Sequence, residues 1–160
     1  MADAKIYAEL KADHDRHREL IARIEDTSRK DEERQELFDI LRVELQAHAA
    51  AEEEALYSVM LANPELRDEA RHSVSEHKEI DDMLGELVEK DTASLFWLSK
   101  FKTLRDRYLH HIEEEEKEMF PAAAKELSKA KEAEIAKVFE RRKPKELERA
   151  ETELPGDARE

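Results

Sequence analysis

Apolar residues recur in steps of three and four along most of the chain, a spacing that predicts long amphipathic α-helices. Four such patterns run from about Lys5 to Asp26, Glu32 to Ala62, Glu65 to Lys90 and Ser94 to Phe120. The stretch Thr27–Asp31 reads as a loop, Asn63-Pro64 as a helix stop, and Asp91–Ser94 as a turn carrying N-cap candidates. Pro121 should kink or end the fourth helix. A weaker pattern from Ala122 to Arg142 (Leu127, Ile135, Val138, Phe139) predicts a further helix docked beside the others, and Glu151–Glu160, with Pro155-Gly156, is expected to fray. Short links between long helices favour an all-α, antiparallel up-down-up-down four-helix bundle. The expected division is a bundle over 1–122, a C-terminal helical extension over 123–150 and a disordered tail over 151–160.

The apolar stripes are interrupted in a consistent way. The second helix presents Leu37, Leu41, Leu45, His48, Glu52, Leu56 and Val59 on one face. The fourth presents Phe101, Leu104, Tyr108, His111, Glu115 and Met119, so a His and a Glu again occupy core positions one turn apart. The third carries His77 among Val74, Ile80, Leu84 and Leu87, and the first carries His14 and His17 among Ile6, Leu10, Ile21 and Ile24. An ionised carboxylate in an apolar stripe is costly unless it is paired or bound to metal. Imidazole nitrogen with carboxylate oxygen suits iron, manganese, zinc or copper.

The interruptions repeat at one interval. His14 and His77, His48 and His111, and Glu52 and Glu115 are each 63 residues apart. The same interval relates Ile21 to Leu84, Leu41 to Leu104, Glu53 to Glu116 and Tyr57 to Phe120. Two helical hairpins of one pattern would surround a site of approximate two-fold symmetry, a geometry suited to two metals bridged by two glutamates. His17 corresponds to Ile80 and reads as lining the pocket, with direct ligation as the alternative. Glu53 or Glu116 is a candidate hydrogen-bond partner to a ligand from outside. Tyr108 and Tyr57 lie close enough to pack against the site or to donate to a bound oxygen species. His72/Glu76 and His110/Glu114 share the His-x-x-x-Glu spacing but fall off the apolar face and read as solvated.

Composition narrows the class. Of 160 residues, 44% are charged and only two are glycine, which favours helices with charged outer faces. A formal net charge of −14 argues against nucleic acid or an anionic membrane as partner, and favours a monomer or weak oligomer. The absence of cysteine excludes disulfides, thiolate metal sites and cysteine catalysis. The start, MADAKIYAEL, has no long apolar run, so a cytoplasmic protein is expected.

The set His14, His48-x-x-x-Glu52, His77 and His111-x-x-x-Glu115, with the strings HAAAEEEALY, SEHKEI and HHIEEEEKEMFP, resembles the hemerythrin-like, or HHE cation-binding, domain over about residues 5 to 122. The resemblance implies a di-iron centre with an oxo or hydroxo bridge, Glu52 and Glu115 bridging or capping the irons, and four terminal histidines. It also implies a free position for dioxygen, peroxide or nitric oxide. Manganese or zinc would suit the same ligands. Oxygen-carrying members have a further histidine one turn before the one matching His77. Here Ser73 and Val74 stand there, which favours reactive or sensing chemistry over simple carriage.

Three function classes remain open on these grounds. The first is a di-iron protein that reacts with dioxygen or its reduced products, with catalase- or peroxidase-like turnover and a role in oxidative stress. The second is storage or sensing of oxygen, nitric oxide or iron without turnover, and the third a metal-free interaction bundle. A ferritin-type oxidase requires Glu-x-x-His from two helices, and only Glu69-x-x-His72 fits.

Overall fold

The computed structural model describes residues 4–26 and 30–156. The chain forms five long helices, with no strand among the described residues. Helix α1 spans Lys5–Glu25. Helix α2 is α-helical over Asp31–Glu52, passes through a π turn at Glu53–Tyr57 and ends with Ser58–Leu61. Helix α3 spans Arg67–Val88. Helix α4 is α-helical over Leu95–Glu114, passes through a π turn at Glu115–Met119 and continues over Phe120–Glu126. Helix α5 spans Lys129–Thr152 and lies against α1, α2 and the first π turn.

The local signals act as their chemistry suggests. The Ser94 hydroxyl accepts the Trp97 amide at 3.0 Å and starts α4, and the Ser128 hydroxyl accepts the Lys131 amide at 3.0 Å and starts α5. Helix α2 ends at Leu61, just before Asn63-Pro64.

Pro121 neither ends nor replaces a turn of α4. The preceding π turn pairs the Phe120 amide with the Glu115 carbonyl, so the helix is already one residue out of α register where the proline enters. The pattern expected as one helix over Ala122–Arg142 is divided at Leu127, whose backbone is extended, and α5 runs ten residues beyond Arg142. The π turn in α2 also shifts the inner face by a residue: Met60 is buried, whereas Val59 from the expected stripe is only partly so.

Two apolar clusters fill the bundle ends. Ile6, Leu10, Leu56, Met60, Leu66 and Phe120, with Ile135 and Phe139 from α5, pack at one end. Ile24, Phe38, Leu41, Leu84, Trp97 and Phe101 pack at the other. Along α1–α4 the histidines His14, His48, His77 and His111, with Glu52 and Glu115, fall between these clusters, whereas Tyr57 and Tyr108 belong to them. Residues 153–156 continue along the bundle surface. Arg42 and Gln46 donate to the Glu153 carbonyl, Pro155 is buried, and the Gly156 amide donates to Asp81 at 2.9 Å. Fraying expected from Glu151 onward thus does not describe 151–156. The remainder of that tail, 157–160, and Thr27–Arg29 of the first loop lie outside the described residues.

Candidate metal centre

The structure brings His14, His48, His77, His111, Glu52 and Glu115 to one buried layer between the apolar clusters. One ligand atom from each of His14, His48, Glu52 and Glu115 can be chosen so that all lie within 4.8 Å of one another, and the same holds for Glu52, His77, His111 and Glu115. Both carboxylates therefore belong to both groups. Glu115 Oε1 stands 3.0 Å from His111 Nε2 and 3.5 Å from His14 Nε2. Glu52 Oε1 stands 3.3 Å from His77 Nε2 and 3.6 Å from His48 Nε2.

The outer nitrogen of each ring is held by a carboxylate. His14 Nδ1 meets Glu116 at 2.7 Å, His48 Nδ1 meets Asp13 at 2.8 Å, His77 Nδ1 meets Glu53 at 2.7 Å and His111 Nδ1 meets Glu76 at 2.9 Å. A neutral imidazole that donates from Nδ1 presents the lone pair of Nε2, and the carboxylate raises its basicity. The inner atoms lack such partners. Nε2 of His14 and His48 and both oxygens of Glu52 find no hydrogen-bond partner among the described residues, and His111 Nε2 has only Glu115 Oε1, at 3.0 Å. Buried polar atoms left so would each cost on the order of 1–3 kcal/mol, and a cation among them would satisfy all at once. The donor set and its geometry thus fit metal ions.

The electrostatics point the same way. Burial, then the charge of Glu115, pushes the Glu52 carboxyl well above the usual carboxylate range. Burial would lift Glu115 too, but His111, Glu52 and His14 hold it well below that range. Burial alone would lower His111, but Glu115 and Glu76 raise it to about 9. His48 is pushed down to about 3, chiefly by burial. Burial and Glu115 thus favour the neutral form of Glu52, while Glu115 and Glu76 favour the charged form of His111.

His17 belongs to neither group of ligand atoms. Its Nδ1 meets the Tyr108 hydroxyl at 2.6 Å, and its ring packs edge-on to His48 with centroids 5.3 Å apart. Of Glu53 and Glu116, one of which was expected to hydrogen-bond a ligand from outside, both do so to a histidine of the layer, His77 and His14. Sequence reasoning missed Asp13 and Glu76, although they too obey the interval that relates His14 to His77. It also left Tyr57 between packing and donation. The Tyr57 hydroxyl donates to Glu115 Oε2 at 2.8 Å, and its ring stacks on His77 at 5.2 Å. Ser73 is buried beside Met119.

A cavity of about 330 Å³ reaches His48 and His77 from the surface between α2, α3 and α5. Leu45, Val74, Ile80 and Leu84 form apolar wall, with Tyr108 among the lining.

A helix bundle with paired histidine–carboxylate groups across its four central helices defines a class of cation-binding proteins. The family model of the hemerythrin HHE cation binding domain matches residues 5–123, and the chain belongs to this family. No curated protein and no solved structure matches it.

Proposed function

We propose that the protein holds a di-iron centre, with His14, His48, Glu52 and Glu115 around one ion and His77, His111 and the same two carboxylates around the other, and that it reacts with dioxygen, hydrogen peroxide or nitric oxide. The observation that carries this reading is the sharing of Glu52 and Glu115 between two four-residue groups. Iron, when bound, would supply the electrons that such small molecules require.

The protein's own residues do the rest. Asp13, Glu53, Glu76 and Glu116 keep each imidazole in one tautomer and orientation. Tyr57 anchors one oxygen of Glu115 by its hydroxyl proton. A small molecule would reach the centre through the cavity that ends at His48 and His77, which Tyr108 also lines. Burial and the charge of Glu115 push the Tyr108 phenol well up, so it keeps its proton and serves as a donor, with His17 as its neighbour. The histidine of oxygen-carrying members is replaced here by Ser73, which favours turnover of peroxide over reversible carriage.

The test is metal content and absorption of purified protein, before and after peroxide. Two irons per chain, one for each group of four, are expected, with oxygen release on adding peroxide. Reversible binding without release would select storage or sensing instead. His48→Ala and Glu52→Ala should each lose metal and stability together, and unchanged metal content in both would sink the ligand assignment.

A further inference from the structure

Three histidine–carboxylate spacings in the sequence have no part in the buried ligand set: Glu69-x-x-His72, His72-x-x-x-Glu76 and His110-x-x-x-Glu114. The fold draws them to one place on the outer side of α3 and α4. Ligand atoms from His72, Glu76 and Glu114 all lie within 4.8 Å of one another. His72 Nε2 is 3.2 Å from Glu114 Oε2 and 3.5 Å from Glu76 Oε2, and His110 Nε2 is 2.5 Å from Glu114 Oε1. The two imidazoles are open to solvent, with side chains 60% and 63% exposed, whereas Glu76 is buried. The other oxygen of Glu76 accepts His111 Nδ1–H, so this outer group rests directly on the wall of the buried centre.

A second cavity, of about 240 Å³, leads inward from it. Asp68, Glu69, His72, Glu114 and Glu118 line it together with Glu115, and no lysine or arginine does. Glu115 is the carboxylate shared by both buried groups, is 1% exposed, and has an oxygen, Oε1, with no partner outside the buried layer. Burial, and then the neighbouring charge of Glu118, pushes the Glu69 carboxyl up. Acids line the first cavity too (Glu53, Asp81, Glu146 and Glu153), but Lys78 and Arg149 stand among them. The second cavity, with acids and no basic side chain in its lining, is the one better suited to a cation.

We propose that His72, Glu76 and Glu114, with His110 at the margin, form an outer site for a divalent transition-metal cation, which passes through the acidic cavity beside Glu115 into the buried centre. The proposal rests on the reading of that centre as a metal site. Mixed imidazole and carboxylate donors select such cations over calcium, which takes oxygen ligands. Solvent on one side leaves positions for water, so the ion is held weakly enough to move on. An acid-lined cleft focuses cations and speeds their arrival.

Cobalt(II) reports on both sites through its ligand-field absorption. Metal-free protein, mixed rapidly with Co²⁺, should fill the buried pair and bind a weaker third equivalent. In His72→Ala/Glu114→Gln the third equivalent should vanish, and filling of the buried pair should slow roughly tenfold, the lower end of what electrostatic focusing supplies. Its final spectrum and content should match the wild type, since neither side chain is a buried ligand. The single variants should fall between. Two equivalents taken up at the wild-type rate by the double variant would overturn the loading route while leaving the buried centre intact. No uptake of Co²⁺ by the wild type would overturn the buried centre and the route with it.

Discussion

The four ligand-type histidines are each held at Nδ1 by a carboxylate, and this decides what they can do. An Nδ1 bonded to a carboxylate cannot turn outward, so Nε2 faces the centre whether or not an ion is there. Protons compete with cations for those atoms. His111, raised to about 9 by Glu115 and Glu76 against the effect of burial, holds a proton near neutrality in the metal-free protein, and burial and Glu115 shift Glu52 towards its protonated form. Metal binding must release protons held there, so affinity should rise with pH through the neutral range and level off above about 9, where His111 is already neutral. A pH indicator in weak buffer should report acidification on adding metal, and an affinity unchanged between about pH 6 and about pH 8 would contradict this account. The six ligand-type residues were legible in the sequence because they break apolar stripes at one interval. Asp13 and Glu76 were not, because each lies beside its histidine on the helix and reaches a ring on a different helix.

At the scale of elements, two π turns and one extra helix shape the centre. Both π turns begin at or just after an inward glutamate, Glu52 in α2 and Glu115 in α4. The added residue rotates the downstream turns of each helix, which buries Tyr57 and Met60 and lets α4 run through Pro121. Periodicity reading assumes an unbroken α register, so it could not show this. Helix α5 does more than cover the bundle. Lys143 extends from it to Asp13 at 2.6 Å, and Asp13 in turn holds His48. The corresponding acid in the other half, Glu76, meets His72 instead, so the two halves of the centre are not equivalent. Lys143→Met keeps the stem near Phe139 but removes the charge. It should destabilise the metal-free protein by about 1–3 kcal/mol and weaken metal binding by roughly tenfold. Denaturant melts and metal titration of the variant would measure both, and wild-type values in each would show that α5 is only a cover.

Across the whole molecule, a polar layer divides one helix bundle into two apolar ends. Such a layer is a liability for folding unless something satisfies it, so metal and stability should be coupled. Metal at about a hundredfold over its dissociation constant adds about 2.7 kcal/mol per site, which for two sites in a domain of this size raises Tm by roughly 10–20 °C. Calorimetry before and after chelation should show that difference, and equal melting temperatures would mean that the layer is satisfied without a cation.

The sequence by itself determined the helices, the family resemblance and the six residues that meet in the core, because helical periodicity is a local property that marks any polar residue on an apolar face. Only the tertiary structure decided which acids hold which histidines, how α5 enters the centre, and that His72, Glu76 and Glu114 meet outside it. Those contacts join residues that share no helix face, and their pairing depends on how the helices pack and where π turns shift their register.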